Sequence, residues 1–96
     1  MKNKPIYLKE RLSELNPEAK IFDDLDGAIV GLAENGKGII AVYDNDAILK
    51  IFMDRDGMTD EDVQDYIDFN IIRSLPYMGE YAPVIMFMRD ERRMKK

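Results

Sequence analysis

The chain has 96 residues, of which 46% are apolar, with 14 basic and 19 acidic side chains and a net charge of −5. This is one domain's length, too apolar for a disordered segment and long enough for one modest core. Cysteine and histidine are both absent, which excludes disulfides, thiolate chemistry, imidazole metal sites, the commonest general base and the usual switch near neutral pH.

The layout of charge says more than its sum. Residues 17–80 carry 15 acids against 5 bases, a net of −10, while Lys2, Lys4, Lys9 and Arg11 in front and Arg89, Arg92, Arg93, Lys95 and Lys96 behind restore the balance. An acidic body repels nucleic acid and favours basic partners, so direct nucleic-acid binding is not expected. The basic end reads as a solvated tail rather than a nucleic-acid arm. No run approaches the roughly 18 apolar residues of a membrane span, and no apolar signal core opens the chain. A cytoplasmic protein without membrane contact is the expectation.

In chain order, residues 1–5 read as a loose start. Tyr7, Leu8, Leu12 and Leu15 predict a short amphipathic helix that stops near Asn16-Pro17, because proline restricts the residue before it. Asp23 to Gly27 is a polar turn. Ala28–Ala33 and Gly38–Tyr43 are strands around Asn35-Gly36, whose residues tolerate the positive φ of a two-residue type I′ hairpin turn. That turn pairs Glu34 with Lys37, Leu32 with Ile39, Val30 with Ala41 and Ala28 with Tyr43. Both sheet faces are then apolar and both need cover. Gly31 and Gly38 on the second face suggest close approach by another element.

Asp44-Asn45-Asp46 offers caps for a helix from Ala47 to about Arg55, with Ala47, Ile48, Ile51 and Phe52 on its apolar stripe. Gly57 suits the left-handed residue that ends it. Thr59 suits the N-cap of the next helix, with Asp62 three residues on, and Asp60 and Glu61 sit at the positive end of its dipole. That helix runs from Asp60 to about Ile72, with Val63, Tyr66, Ile67, Asn70 and Ile71 on one stripe. Asn70 reads as a buried amide that ties down the loop behind it. Residues 73–82 form a loop carrying Tyr77, Met78, Glu80 and Tyr81; such loops often carry function. Pro83 opens a third strand, Val84–Met88, and residues 90–96 read as a loose end.

Asp54, Asp56 and Gly57 match part of a calcium loop, but Phe52 and Val63 stand where its first and last ligands belong. Helix capping accounts for the same residues, and neither metal nor cofactor is expected.

Several motifs, in order, carry a resemblance. They are Asp26-Gly27-Ala28-Ile29-Val30-Gly31, then Val42-Tyr43-Asp44, Arg55 to Asp62, Phe69-Asn70, and Leu75 to Pro83. In their order and spacing they resemble a family of small proteins encoded by tailed phages and prophages. The resemblance covers residues 24–88 and leaves out the first 20. It implies a phage accessory protein and brings no catalytic residue.

The expected fold is α+β, one domain over 1–96: a hairpin and a returning third strand in a mainly antiparallel three-stranded sheet, two helices over one face, and a short N-terminal helix or a second copy over the other. The expected function is non-catalytic binding and modulation of a host protein, with counter-defence as the setting. Expected contacts are Asp60, Glu61, Asp65 and Asp68 on the helix and Tyr77, Met78, Glu80 and Tyr81 on the loop. Two alternatives stand beside it. One is an acidic nucleic-acid mimic that blocks a DNA- or RNA-binding protein. The other is a small divalent-metal or ligand-binding domain using Asp44, Asp46, Asp54 and Asp56.

Overall fold

The computed structural model describes residues 4–87. Helix α1 (Lys4–Leu15) comes first, then strands β1 (Ile29–Glu34) and β2 (Ile39–Asp44), helices α2 (Asn45–Asp56) and α3 (Asp60–Asn70), and strand β3 (Val84–Met86). Two 3-10 helices, Asp26–Ala28 and Ile72–Tyr77, precede β1 and follow α3. The fold is α+β, with one three-stranded sheet in the order β1-β2-β3. The expected loose residues 1–3 and 90–96 lie outside the described residues; Lys4 and Pro5 belong to α1.

The hairpin departs from the predicted turn. Its loop is four residues long, and Asn35 N–H donates to the Gly38 carbonyl at 3.1 Å. Asn35 does not take positive φ; of the loop residues only Gly36 does, at 93°. Instead the Asn35 side-chain oxygen accepts from the N–H groups of Lys37 and Gly38 at 2.8 and 3.0 Å. A local side-chain acceptor has displaced the type I′ geometry. Leu32 therefore pairs Ala41, two residues from the predicted register, and a bulge at Val30 sets Ile29 opposite Tyr43. A shift of two keeps each side chain on its face, whereas the single extra residue of the bulge turns Ile29 inward.

Ile29, Ala41 and Tyr43 share one core cluster with Leu12 of α1, with Ile48, Leu49 and Phe52 of α2, and with Val63 and Ile67 of α3. The sheet residues of that cluster lie on one face. Helix α1 thus joins the core of α2 and α3 rather than covering the opposite face. Of the two glycines expected to permit close approach, only Gly38 does so: a Cβ there would meet the Tyr81 ring at 3.1 Å, while one at Gly31 would meet nothing within 4 Å.

Tyr43 is wholly buried. Its hydroxyl accepts the Phe22 N–H at 2.9 Å, and the Phe22 ring meets it edge-on at 5.1 Å. Burial pushes the phenol up to about 12, helped by the negative charges of Asp26 and Asp23.

The junction between α2 and α3 follows its local chemistry. Gly57 has φ 72° and ψ 20°, and its N–H donates to Met53. The Thr59 side chain accepts from Asp62 N–H at 3.2 Å. From there α3 and the second 3-10 helix carry the chain back to the start of the sheet edge. So β3 enters beside Val42 and runs parallel to β2, pairing Val42 with Val84 and Asp44 with Met86. A parallel partner needs a long crossover, which α2 and α3 provide.

The buried amide is Asn45, 1% exposed, and not Asn70. Asn70 is exposed and its amide donates back to the Tyr66 carbonyl at 3.0 Å, inside its own helix, so it does not tie down the following loop. Asn45, at the first turn of α2, instead donates to the Gln64 side-chain Oε1 at 2.8 Å and links the two helices.

Two predictions follow from these placements. A Cβ at position 57 would meet no atom within 4 Å, so Gly57→Ala isolates the cost of left-handed backbone, about 1–2 kcal/mol by urea unfolding. For Tyr43 the folded pKa lies above the unfolded one, so the folded state holds the proton longer. Its stabilising effect is full below about pH 10 and falls away as pH rises towards 12. The loss is on the order of 2–3 kcal/mol. Tyr43→Phe should flatten that part of a stability-against-pH curve.

Candidate functional site

Helix α3 buries Val63, Ile67 and Ile71 beyond its end, which fixes its rotation. The residues on the opposite side are then Asp62, Asp65 and Phe69, spaced i, i+3 and i+7, with Tyr66 on the flank between them and the buried strip. Phe69 is 66% exposed and Tyr66 40%. Neither Asp62 nor Asp65 has an ion-pair partner among the described residues. Arg73 leaves the next turn and lays its guanidinium over the Phe69 ring, 5.0 Å from the centroid. On the other flank, Tyr66 meets Phe52 edge-on at 5.1 Å, and Arg55 sits 5.4 Å over that same Phe52. The surface is a short row of two rings, Tyr66 and Phe69, set among carboxylates, with Arg73 over Phe69; Phe52, under Arg55, belongs to the core.

The expected contact residues divide. Asp60, Glu61 and Asp65 are exposed on α3. Asp68 turns to the flank facing α2, where it accepts from Gln64 at 3.0 Å within the Asn45 network. Tyr77, at the end of the second 3-10 helix, is 89% exposed. Met78 is half-buried. Glu80 bridges to Lys37 at 3.3 Å, and its carbonyl accepts from Asn35. The Tyr81 carbonyl accepts from Lys20 N–H at 3.1 Å. Glu80 thus ties the loop to the hairpin turn and Tyr81 ties it to the connection after α1, so both serve architecture first. Phe69, Tyr66, Asp62 and Arg73 were not singled out as contacts from the sequence. The signal was present in the phase of Phe69, which falls seven residues after Asp62 on the polar side.

The carboxylates of the metal alternative are not gathered. No group of three or more potential metal-ligating side chains stands together among the described residues. Asp44 precedes α2 but makes no side-chain capping bond, and its Oδ1 is buried without a hydrogen-bond partner. Asp56 pairs with Arg55 at 3.2 Å and pushes the arginine's pKa further up. A separate apolar groove of about 560 Å³ opens between the second 3-10 helix and β3, lined by Ile40, Ile72, Leu75, Pro83, Val84 and Phe87. Among the described residues no helix is long and apolar enough to cross a membrane.

The two acids of α3 can be told apart by stability. Asp68→Ala removes the nearer of the two acceptors of the Gln64 amide and should cost about 1 kcal/mol. Asp65→Ala should change the unfolding midpoint by less than about 0.5 kcal/mol equivalent. Comparison of the chain with protein-family models, with curated proteins and with solved structures finds no match.

Proposed function

We propose that this chain is a non-catalytic phage accessory protein that binds and modulates a host protein in the bacterial cytoplasm, with counter-defence as its setting. The phage setting rests on the ordered motifs between residues 24 and 88. The binding role rests on one observation: the two aromatic residues most exposed among those described, Tyr77 at 89% and Phe69 at 66%, lie on the most acidic helix and at the end of the 3-10 helix that follows it. Rings of this kind supply most of the energy at protein interfaces once buried. The acids around them steer a basic partner and reject acidic ones.

The acidic-mimic alternative uses the charges without the rings. The two readings differ in salt response, because a field is screened within about 10 Å at 0.1 M salt while apolar burial is not. The test is a pull-down from bacterial lysate with tagged protein, washed at low and high salt, beside the folded double variant Phe69→Ala/Tyr77→Ala. The expected result is one stoichiometric protein held by the natural chain at high salt and lost by the variant. Capture that disappears at high salt favours mimicry. Equal capture by both proteins, or none, sinks the reading.

A further inference from the structure

The row of rings on α3 names the chemistry of its partner, an inference that rests on the binding role above. Phe69 takes no part in the core cluster. Among the described residues its one ring contact is with the Arg73 guanidinium, at 5.0 Å. One arginine cannot cover a ring that remains 66% exposed. One and two turns earlier on the same side of α3 stand Asp65 and Asp62, which have no cation of their own among the described residues. A ring face with two unpaired carboxylates at i−4 and i−7 suits a group that is at once flat, cationic and able to donate two parallel hydrogen bonds. Guanidinium is that group, while ammonium is compact, strongly hydrated and lacks a plane to stack. The chain already uses this chemistry twice nearby, in Arg73 on Phe69 and Arg55 on Phe52.

We infer that the outer stripe of α3 is a docking site for an arginine-bearing segment of a partner protein, whose guanidinium stacks on Phe69 and pairs with Asp62 and Asp65. Arg73 holds part of the same ring beforehand. It covers one part of the ring and gives way when the partner arrives. Charge complementarity chooses a basic partner, and the ring chooses arginine over lysine.

The test uses the full chain and two labelled peptides of equal length and charge, one built on arginine and one on lysine, read by fluorescence anisotropy at two salt concentrations. The natural chain should bind the arginine peptide about three- to tenfold tighter than the lysine peptide. Phe69→Ala, at an exposed site outside the core, should keep its melting temperature and bring that ratio to one, while leaving the salt-dependent part common to both peptides. Asp62→Asn/Asp65→Asn should weaken both peptides. Arg73→Gln, which clears the ring, should raise the arginine preference. Equal affinity of the natural chain for the two peptides overturns the inference, as does a preference that survives Phe69→Ala, or no binding of either. Capture of a host protein with no arginine preference removes this inference and leaves the binding role. An arginine preference with no host protein captured does the reverse.

Discussion

The Tyr43 hydroxyl must find a donor, and that need organises the molecule. A phenol buried without a partner would cost about 1–3 kcal/mol. It is met by the Phe22 N–H, which fixes the connection between α1 and β1 across the sheet. Asn16 makes a similar bond at the start of that connection, donating to the Ile39 carbonyl at 2.8 Å. The central strand is thus held along its length by three different parts of the chain. Tyr43 pairs Ile29 on one side and Ile85 on the other. Its ring stands in the same cluster as α1, α2 and α3. Replacing the ring would loosen all of these at once, whereas replacing its oxygen touches one bond.

What could be read from the sequence is what short-range chemistry decides. The stop at Gly57 and the cap at Thr59 depend on neighbours within a turn, and both stand where the residue types put them. The hairpin was half legible. Its strands follow from composition, but its register depended on a contest between two local uses of Asn35, as a left-handed residue or as a side-chain acceptor, and the acceptor prevailed. The bulge at Val30 and the direction of β3 are settled by distant packing, which no local pattern carries. Residue spacing alone extends the apolar stripe of α3 to Tyr66 and Asn70, which puts the buried amide at Asn70. The true stripe is Val63, Ile67 and Ile71, and it leaves Tyr66 and Asn70 at the margin.

That narrower stripe also explains why the surface of α3 was only partly legible. A helix that buries a strip this thin must show something on its remaining circumference. Most of that is carboxylate, which water solvates readily. Phe69 is the exception, because an exposed ring there lowers no folding energy that a polar residue would not match. Its ring stays 66% exposed and meets the Arg73 guanidinium. The division between acids that brace the fold, such as Asp68, and acids that face outward, such as Asp65, follows from the same rotation of one helix.

The parallel pairing of β3 sets an order of assembly. The hairpin closes a loop of four residues, whereas Val42 and Val84 are 42 positions apart. Closing the longer loop costs about 2 kcal/mol more in chain entropy, and it must wait for α2 and α3 to form. Through that interval β2 exposes its second edge, the kind of unpaired strand that invites pairing with another chain. Asn35 and Gly38 form a hydrogen-bonded pair, so the Ile39 carbonyl next to them points away from β1 onto that edge. The Asn16 amide that covers it comes from a segment already made before β2 emerges. A side chain that looks like a minor tie thus closes the part of the β2 edge, at Ile39, that the short β3 never reaches.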